Sequence, residues 1–347
     1  MVLPETYTSA LLLTILSMLC WGSWANTYKL AGKWRFELYY FDYALGVLIA
    51  ATIAAFTFGT LGYDGFLFLD DLMRAGKRNM AYGFAGGVVF NLANMLLVAA
   101  IAVAGLAVAF PVGIGLALVI GVIWNYVINP QGNPTLLFTG VAIVVGAIVV
   151  DALAYRTHGI QQAKGNTKAG QTHSTAPRTS WKGIALSLAS GVLMGSFYPL
   201  VELGKQGDWG LGPYAIAFIF ALGVFSSTFV FNLFFMNVPV EGKPVEITDY
   251  FKGTFRQHLL GWTGGVIWAT GTISNFVAAS APREVQVGPA ISYAMGQGAT
   301  LISALWGLLV WKEFRGATGT VKLLLGLMLA LFAIGLGLVA IAPLYAR

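Results

Sequence analysis

Amides and indoles stand where plain aliphatic side chains would suffice. The stretch CWGSWANTYK, residues 20–29, closes an apolar run with Trp21, Ser23, Trp24 and Asn26. Helical spacing lets Trp21 and Trp24 share a face. Such a pair can wall a ring-shaped solute or anchor a helix at a membrane interface. The neighbouring Gly22 and Ser23 suit close helix packing rather than lipid. Asn91 and Asn94 stand at i and i+3, offering donors and acceptors to hydroxyls or amides, or to another helix. Trp268, Thr272 and Asn275 fall on one helical stripe, and Tyr293 and Gln297 lie one turn apart. Aromatic faces with directional amides are what a neutral polar ligand needs.

Titratable groups within apolar runs are few. Asp42, in the FDY triplet, and Glu202 are the candidates for coupling a cation, although an acid in the first turns of a helix is also favoured by the helix dipole. Asp151 lies near one end of its run, and Glu284 stands beside Arg283. His158, His173 and His258 fall in a linker or a loop, where they are poor proton carriers. No acid sits in the middle of a run. Sodium coupling or simple facilitation therefore stays open beside proton coupling, and a cationic solute is disfavoured. There is no HExxH, no paired CxxC and no GxxxxGK[ST], so neither an enzyme, a metal or cofactor site, nor ATP-driven transport is expected. The single Cys20 forms no internal disulfide.

The elements that position these groups follow from composition. The 347 residues are 57% hydrophobic and 10% charged, with a mean hydropathy of +0.75. That excludes an ordinary soluble domain, which is nearer a quarter charged. Ten apolar runs are long enough to span a bilayer: 8–28, 38–60, 80–102, 105–128, 134–155, 180–202, 211–237, 259–280, 286–311 and 321–345. The first lacks a basic leader and reads as a retained helix. Only Ala104 separates the third run from the fourth. Residues 156–180, rich in Gly, Gln, Thr, Ser and Lys, read as a cytoplasmic linker. They divide the chain into 1–155 and 181–347, five spans each. Of the 20 Lys and Arg, 14 follow odd-numbered spans. The excess of positive charge on cytoplasmic loops then puts both termini outside. It also accounts for the basic balance with lipid as partner and no nucleic acid.

The halves echo each other. YGFAGGVVF, residues 82–90, matches LGWTGGVIW, residues 260–268, pairing Gly83 and Gly87 with Gly261 and Gly265. Pro111 and Pro289 keep the same offset, and WGSWANTYKL matches MGSFYPLVEL. Because five spans is an odd number, the second half enters the membrane inverted, as in many secondary transporters. The expected fold is all-α integral membrane, ten transmembrane helices as two inverted five-helix repeats. Each proline either bends its helix at the site or sits harmlessly near its start.

WGSWANTYKL, FDYALG, GGVVFNLANMLLVAAI, AVAFPVGIGLALVIG and WGLLVWKEFRG resemble the drug/metabolite transporter superfamily. Within it they are similar to bacterial glucose/ribose and L-rhamnose–proton porters and to plant ureide permeases. The resemblance implies a cavity enclosed by the first, third, fourth, sixth, eighth and ninth helices, and residence in a bacterial inner membrane. The expected function is a secondary transporter for a small neutral metabolite such as a sugar or ureide, coupled to a proton or sodium and working by alternating access. The alternative is an exporter of amphipathic compounds, and a non-transporting scaffold is a third reading. Gly140, Gly146, Gly326, Gly335 and Gly337 could pack helices within a monomer or across a homodimer.

Overall fold

The computed structural model describes residues 1–104, 106–168, 181–239, 242–282, 284–285 and 287–345. Among them every regular element is helical. The helices are α1 (Tyr7–Ser23), α2 (Ala25–Ala31), α3 (Phe36–Phe56), α4 (Phe68–Arg74), α5 (Lys77–Ala104), α6 (Leu106–Ile128), α7 (Pro134–Lys168), α8 (Trp181–Lys205), α9 (Pro213–Asn237), α10 (Phe255–Ala278), α11 (Pro289–Gln297), α12 (Ala299–Leu305) and α13 (Gly319–Ile341).

Local chemistry sets the boundaries. Thr6 and Ser9 bond reciprocally across the first turn of α1, and Thr254 and Gln257 do the same for α10. These capping boxes satisfy amide groups that have no partner inside the helix. Pro213 and Pro289 open α9 and α11, where the missing N–H costs nothing. Gly288, just before Pro289, takes φ +84°, a backbone that side chains with a Cβ rarely adopt. Pro111 falls inside α6, but its side chain lies outside the described residues.

Among the described residues eight helical stretches are long and apolar enough to cross a membrane, which makes the chain a multi-pass integral membrane protein. The described apolar part of α6 is the shorter Val112–Ile128. α10 falls outside the set, with four glycines and several hydroxyls among its 24 residues. Exposed Leu12, Ile53, Val230, Phe234, Leu323 and Ile334 make an apolar outer surface suited to acyl chains.

Two expected spans are broken rather than continuous. The first bends at Trp24, between α1 and α2. The ninth divides at Gly298, between α11 and α12, and ends in a π-helical turn, Trp306–Val310. Where the sequence suggests a linker from residue 156, α7 instead continues to Lys168. Good helix formers such as Gln161, Gln162, Ala163 and Lys164 explain the extension. Residues 169–180, with Arg178 and His173, lie outside the described residues, as does Arg283.

Close packing runs through the glycines of the sequence repeat. α5 lies on α9, and α10 lies on α3. A Cβ at Gly87 would strike the Phe220 carbonyl, and one at Gly265 would strike that of Tyr43. Gly223 faces the Phe84 carbonyl, and Gly46 faces that of Trp262. Gly83 meets Ile216, while Gly261 meets the Cβ of Asp42. Backbones approach at these points because no side chain stands between them. α7 packs on α13 in the same way, Gly140 against the Gly335 carbonyl.

Candidate functional site

A cavity of about 700 Å³ enters the bundle among α1, α2, α3, α5, α6, α7, α8, α10, α11 and α12. It includes the helix set that the sequence resemblance implies, and Phe36 of α3 and Asp151 and Tyr155 of α7 add the second and fifth spans to its wall. Its floor is aromatic. The Trp21 and Trp268 rings lie nearly parallel, 14° apart with centroids separated by 6.2 Å. Phe90 stacks on Trp268 at 4.3 Å. Phe197 and Met194 complete the base. At the rim, half-exposed Lys29 pairs with Glu313 at 2.6 Å. The cavity therefore opens at the end of the bundle that carries the 29–35 and 312–318 loops, the basic side in the sequence.

The two helix breaks flank this space, and cross-links hold them open. At the first, the Asn26 amide donates to the Ser23 carbonyl at 2.9 Å, capping the interrupted turn. From the ninth span, Ser303 donates to the Gly22 carbonyl at 3.0 Å and Trp306 Nε1 to Ser23 Oγ at 2.9 Å. Trp311 Nε1 donates to Asn26 Oδ1 at 2.6 Å. The two interruptions keep their backbone hydrogen bonds, Thr27 N to the Trp24 carbonyl and Leu301 N to the Gly298 carbonyl, and lie on the cavity side of the bundle.

The ten expected substrate-binding residues divide into two sets. Trp21, Trp24, Asn26, Asn94, Trp268 and Gln297 line the cavity. Gln297, the last residue of α11, brings an amide with no hydrogen-bond partner among the described residues. Asn94 donates to the Tyr40 hydroxyl at 3.0 Å. The other four stand behind the wall. The Asn91 amide donates to the Val224 carbonyl, Ser227 and Thr228, fastening α5 to α9. Thr272 accepts from Trp21 Nε1 at 3.0 Å and fixes that ring. Asn275 Oδ1 accepts from Tyr198 and Ser292, while its Nδ2 donates to Ser17 and the Ser292 carbonyl. Tyr293 is fully buried, its hydroxyl reaching the Ala117 and Met194 carbonyls.

The two candidate coupling acids also lie off the cavity. Asp42 accepts from Tyr250 at 2.6 Å, His258 Nδ1 at 2.7 Å and Trp262 Nε1 at 2.9 Å. It pins the α3–α10 junction to the loop before α10. Glu202 pairs with Lys205 at 2.7 Å, near the opposite, closed end. At that end Asp71 accepts from the Gly212 amide and from Arg74, and Arg74 reaches the Asp208 and Gly210 carbonyls. Burial pushes the Asp71 carboxyl above its ordinary value, against those donors.

The sequence reading passed over Asp151, Tyr155, Thr300 and Glu313, all on the cavity. The pair Lys29 and Glu313 carried no visible signal, being 284 residues apart.

Comparison with known proteins fits this geometry. The family profile for ureide permeases matches residues 39–182. Ureide permease 2 of Arabidopsis thaliana is 26% identical, over 96% of this chain and 96% of its own. A probable ureide permease A3 of Vigna unguiculata is 22% identical over 90% of this chain and 97% of its own. The chain is similar to ureide permeases. A crystal structure at 16% identity superposes with a TM-score of 0.56 over 96% of this chain and 98% of that one, a likeness of fold alone. Together the likeness and the spans support a membrane permease rather than an enzyme.

Proposed function

We propose that the protein is a secondary transporter of ureides or similarly shaped neutral metabolites, coupled to a cation and working by alternating access. One observation carries this: a cavity closed at one end, whose floor stacks Trp21, Phe90 and Trp268 and whose walls present the Asn94 and Gln297 amides. A flat, uncharged ring with carbonyl and N–H edges fits such walls. Its faces cover indole and its edges bond amides. Full-length similarity to ureide permeases points to the same solute class. Sugars share the hydroxyl chemistry but offer less flat surface to stacked rings.

The architecture we infer is ten spans in two inverted halves. Its support is the pairing of glycine contacts: Gly87 on Phe220 with Gly265 on Tyr43, and Gly223 on Phe84 with Gly46 on Trp262. Exchange of the halves carries each contact onto its twin, which is how rocking of one half against the other would reverse access. With both termini outside, the conformation seen here faces the cytoplasm. Cavity-lining Trp21, Trp24, Asn26, Asn94, Trp268 and Gln297 are the proposed solute contacts. Asn91, Thr272, Asn275 and Tyr293 are the proposed supports that orient them.

The test is flux. Purified protein in proteoliposomes takes up labelled allantoin, a representative ureide, under an imposed proton or sodium gradient. Failure to move any ureide, nucleobase or sugar under either gradient contradicts the reading. Movement of amphipathic cations alone would instead favour an exporter.

A further inference from the structure

Asp151 is the one carboxylate of the cavity wall that nothing answers. It is nine-tenths buried, with 9% exposure. It lines the cavity. Its Oδ1 has no hydrogen-bond partner, and among the described residues no donor reaches the carboxyl at all. A carboxylate with no donor beside it in a largely apolar wall is costly when charged, and the cavity it lines gives water access to it.

A second carboxylate, Glu313, which follows the π-helical turn Trp306–Val310, lines the same cavity. Glu313 is itself occupied: it takes Lys29 at 2.6 Å and the Tyr155 hydroxyl at 2.8 Å. On the same helix, His158 turns its Nε2 to the Glu313 carbonyl at 3.1 Å. α13 brings only Lys322, exposed at its start, and α6 brings Tyr126, whose ring packs on Phe138. Arg156 on α7 is exposed, and Lys33, Arg35, Lys312 and Arg315 stand at the same end outside the cavity lining. Among the described residues that line the cavity the one cation is Lys29, lying over the Trp311 ring at 4.3 Å.

We propose that Asp151 is the coupling site of the transporter: it binds one proton from cavity water and gives it back to cavity water, with Glu313, Tyr155 and Lys29 setting when it does so. This rests on the transport reading above. In the conformation seen here Lys29 is held by Glu313, so Asp151 keeps its proton. When Lys29 leaves Glu313, its ammonium can answer the Asp151 charge, and the O–H bond breaks with the proton passing to water. No other species is consumed. Asp42 and Glu202 cannot take this part in the present conformation, because each is already bonded and neither faces the cavity.

The experiment has two arms. In the first, the purified full chain without solute is titrated from acid to alkaline pH by infrared difference spectroscopy, beside Asp151→Asn and the exposed-acid control Asp249→Asn. A buried carboxyl C=O band titrates in the parent chain and in Asp249→Asn, and is missing from Asp151→Asn. Tyr155→Phe, which keeps the carboxyl and frees Glu313 of one donor, shifts the midpoint without deleting the band. In the second arm, the parent chain concentrates allantoin under an inward proton gradient. Asp151→Asn still binds and exchanges allantoin but loses concentrative uptake at least tenfold.

The proposal is overturned if the band persists in Asp151→Asn, or if that variant concentrates allantoin like the parent. It is also overturned if Asp151→Asn no longer binds allantoin, which would make Asp151 a solute contact, or if sodium alone drives the parent. A titrating Asp151 band in a chain that moves no ureide would support the proton site and sink the ureide reading instead.

Discussion

Two kinds of polar residue lie within the bundle, and they differ in how completely they are bonded. At the helix junctions Asn275 makes four hydrogen bonds, the Asn91 amide nitrogen meets three acceptors, and Asp42 takes three donors. On the cavity wall Gln297 and Asp151 have none among the described residues, and Asn94 makes one. The contrast is one of degree, since Asn91 Oδ1 has no partner and Asn26 on the cavity wall is bonded at both ends of its amide. The junction residues clasp helices where hydrocarbon offers no hydrophobic drive to associate. We propose that Gln297, Asn94 and Asp151 keep bonding capacity for something that enters.

Substitutions can break that contrast, and the largest effects belong to the junctions. Gly87→Leu and Gly265→Leu each push a side chain into a facing backbone carbonyl. Each is expected to cost about 3 kcal/mol or more and to abolish monodisperse protein in size-exclusion chromatography. Because the proposed repeat makes the two sites twins, tolerance at one with collapse at the other would argue against equivalent halves. Asn275→Ala comes next. It takes the Asn275 side chain from Tyr198 and Ser17, at about 1–3 kcal/mol per orphaned group, while Ser292 keeps its bond to the residue 275 backbone carbonyl. Its melting temperature falls, while allantoin affinity in the folded fraction changes less than about twofold, or ~0.4 kcal/mol.

Cavity substitutions should show the reverse pattern. Gln297→Ala is expected to change stability by under about 0.5 kcal/mol and to weaken allantoin binding roughly tenfold, about 1.4 kcal/mol. Calorimetry on the detergent-solubilised protein reads both quantities. The smallest effect lies at the closed end. Burial raises the Asp71 carboxyl, so its contribution to folding is whole below the ordinary aspartate range and declines as pH rises through the raised value. Asp71→Asn should flatten that decline in melting temperature as pH rises above the ordinary aspartate range, and an unchanged slope would show that Asp71 does not set it.

Much of this was legible in the sequence because it rests on local pattern. Apolar runs and the paired glycines announce helices and their closest contacts. Trp21 and Trp268 were each readable as wall candidates, but the sequence paired Trp21 with Trp24, and the stacking of Trp21 on Trp268 is set by tertiary packing. The division between clasp and contact was not legible. An asparagine in an apolar run has the same chemistry whether its partners come from the protein or from a solute, and partners such as Val224 for Asn91 or Tyr198 for Asn275 are set by tertiary packing. His258 shows the same limit: read as a loop residue, it starts α10 and bonds Asp42, 216 residues away. Asp151 was read as an end-of-helix acid because depth along one helix says nothing of the wall its neighbours build.

The central claim, that the space above Trp21 and Trp268 is a ureide site open to the face with the basic loops, has a direct test. In a Cys20→Ala background, Ser303→Cys on the cavity wall and Thr228→Cys in the α5–α9 junction are exposed to a membrane-impermeant thiol reagent from either side. The account predicts that Ser303→Cys labels only from the basic-loop face, that saturating allantoin slows it several-fold, and that Thr228→Cys stays unlabelled. Labelling of Ser303→Cys that ureide leaves untouched, or that proceeds only from the opposite face, would contradict it.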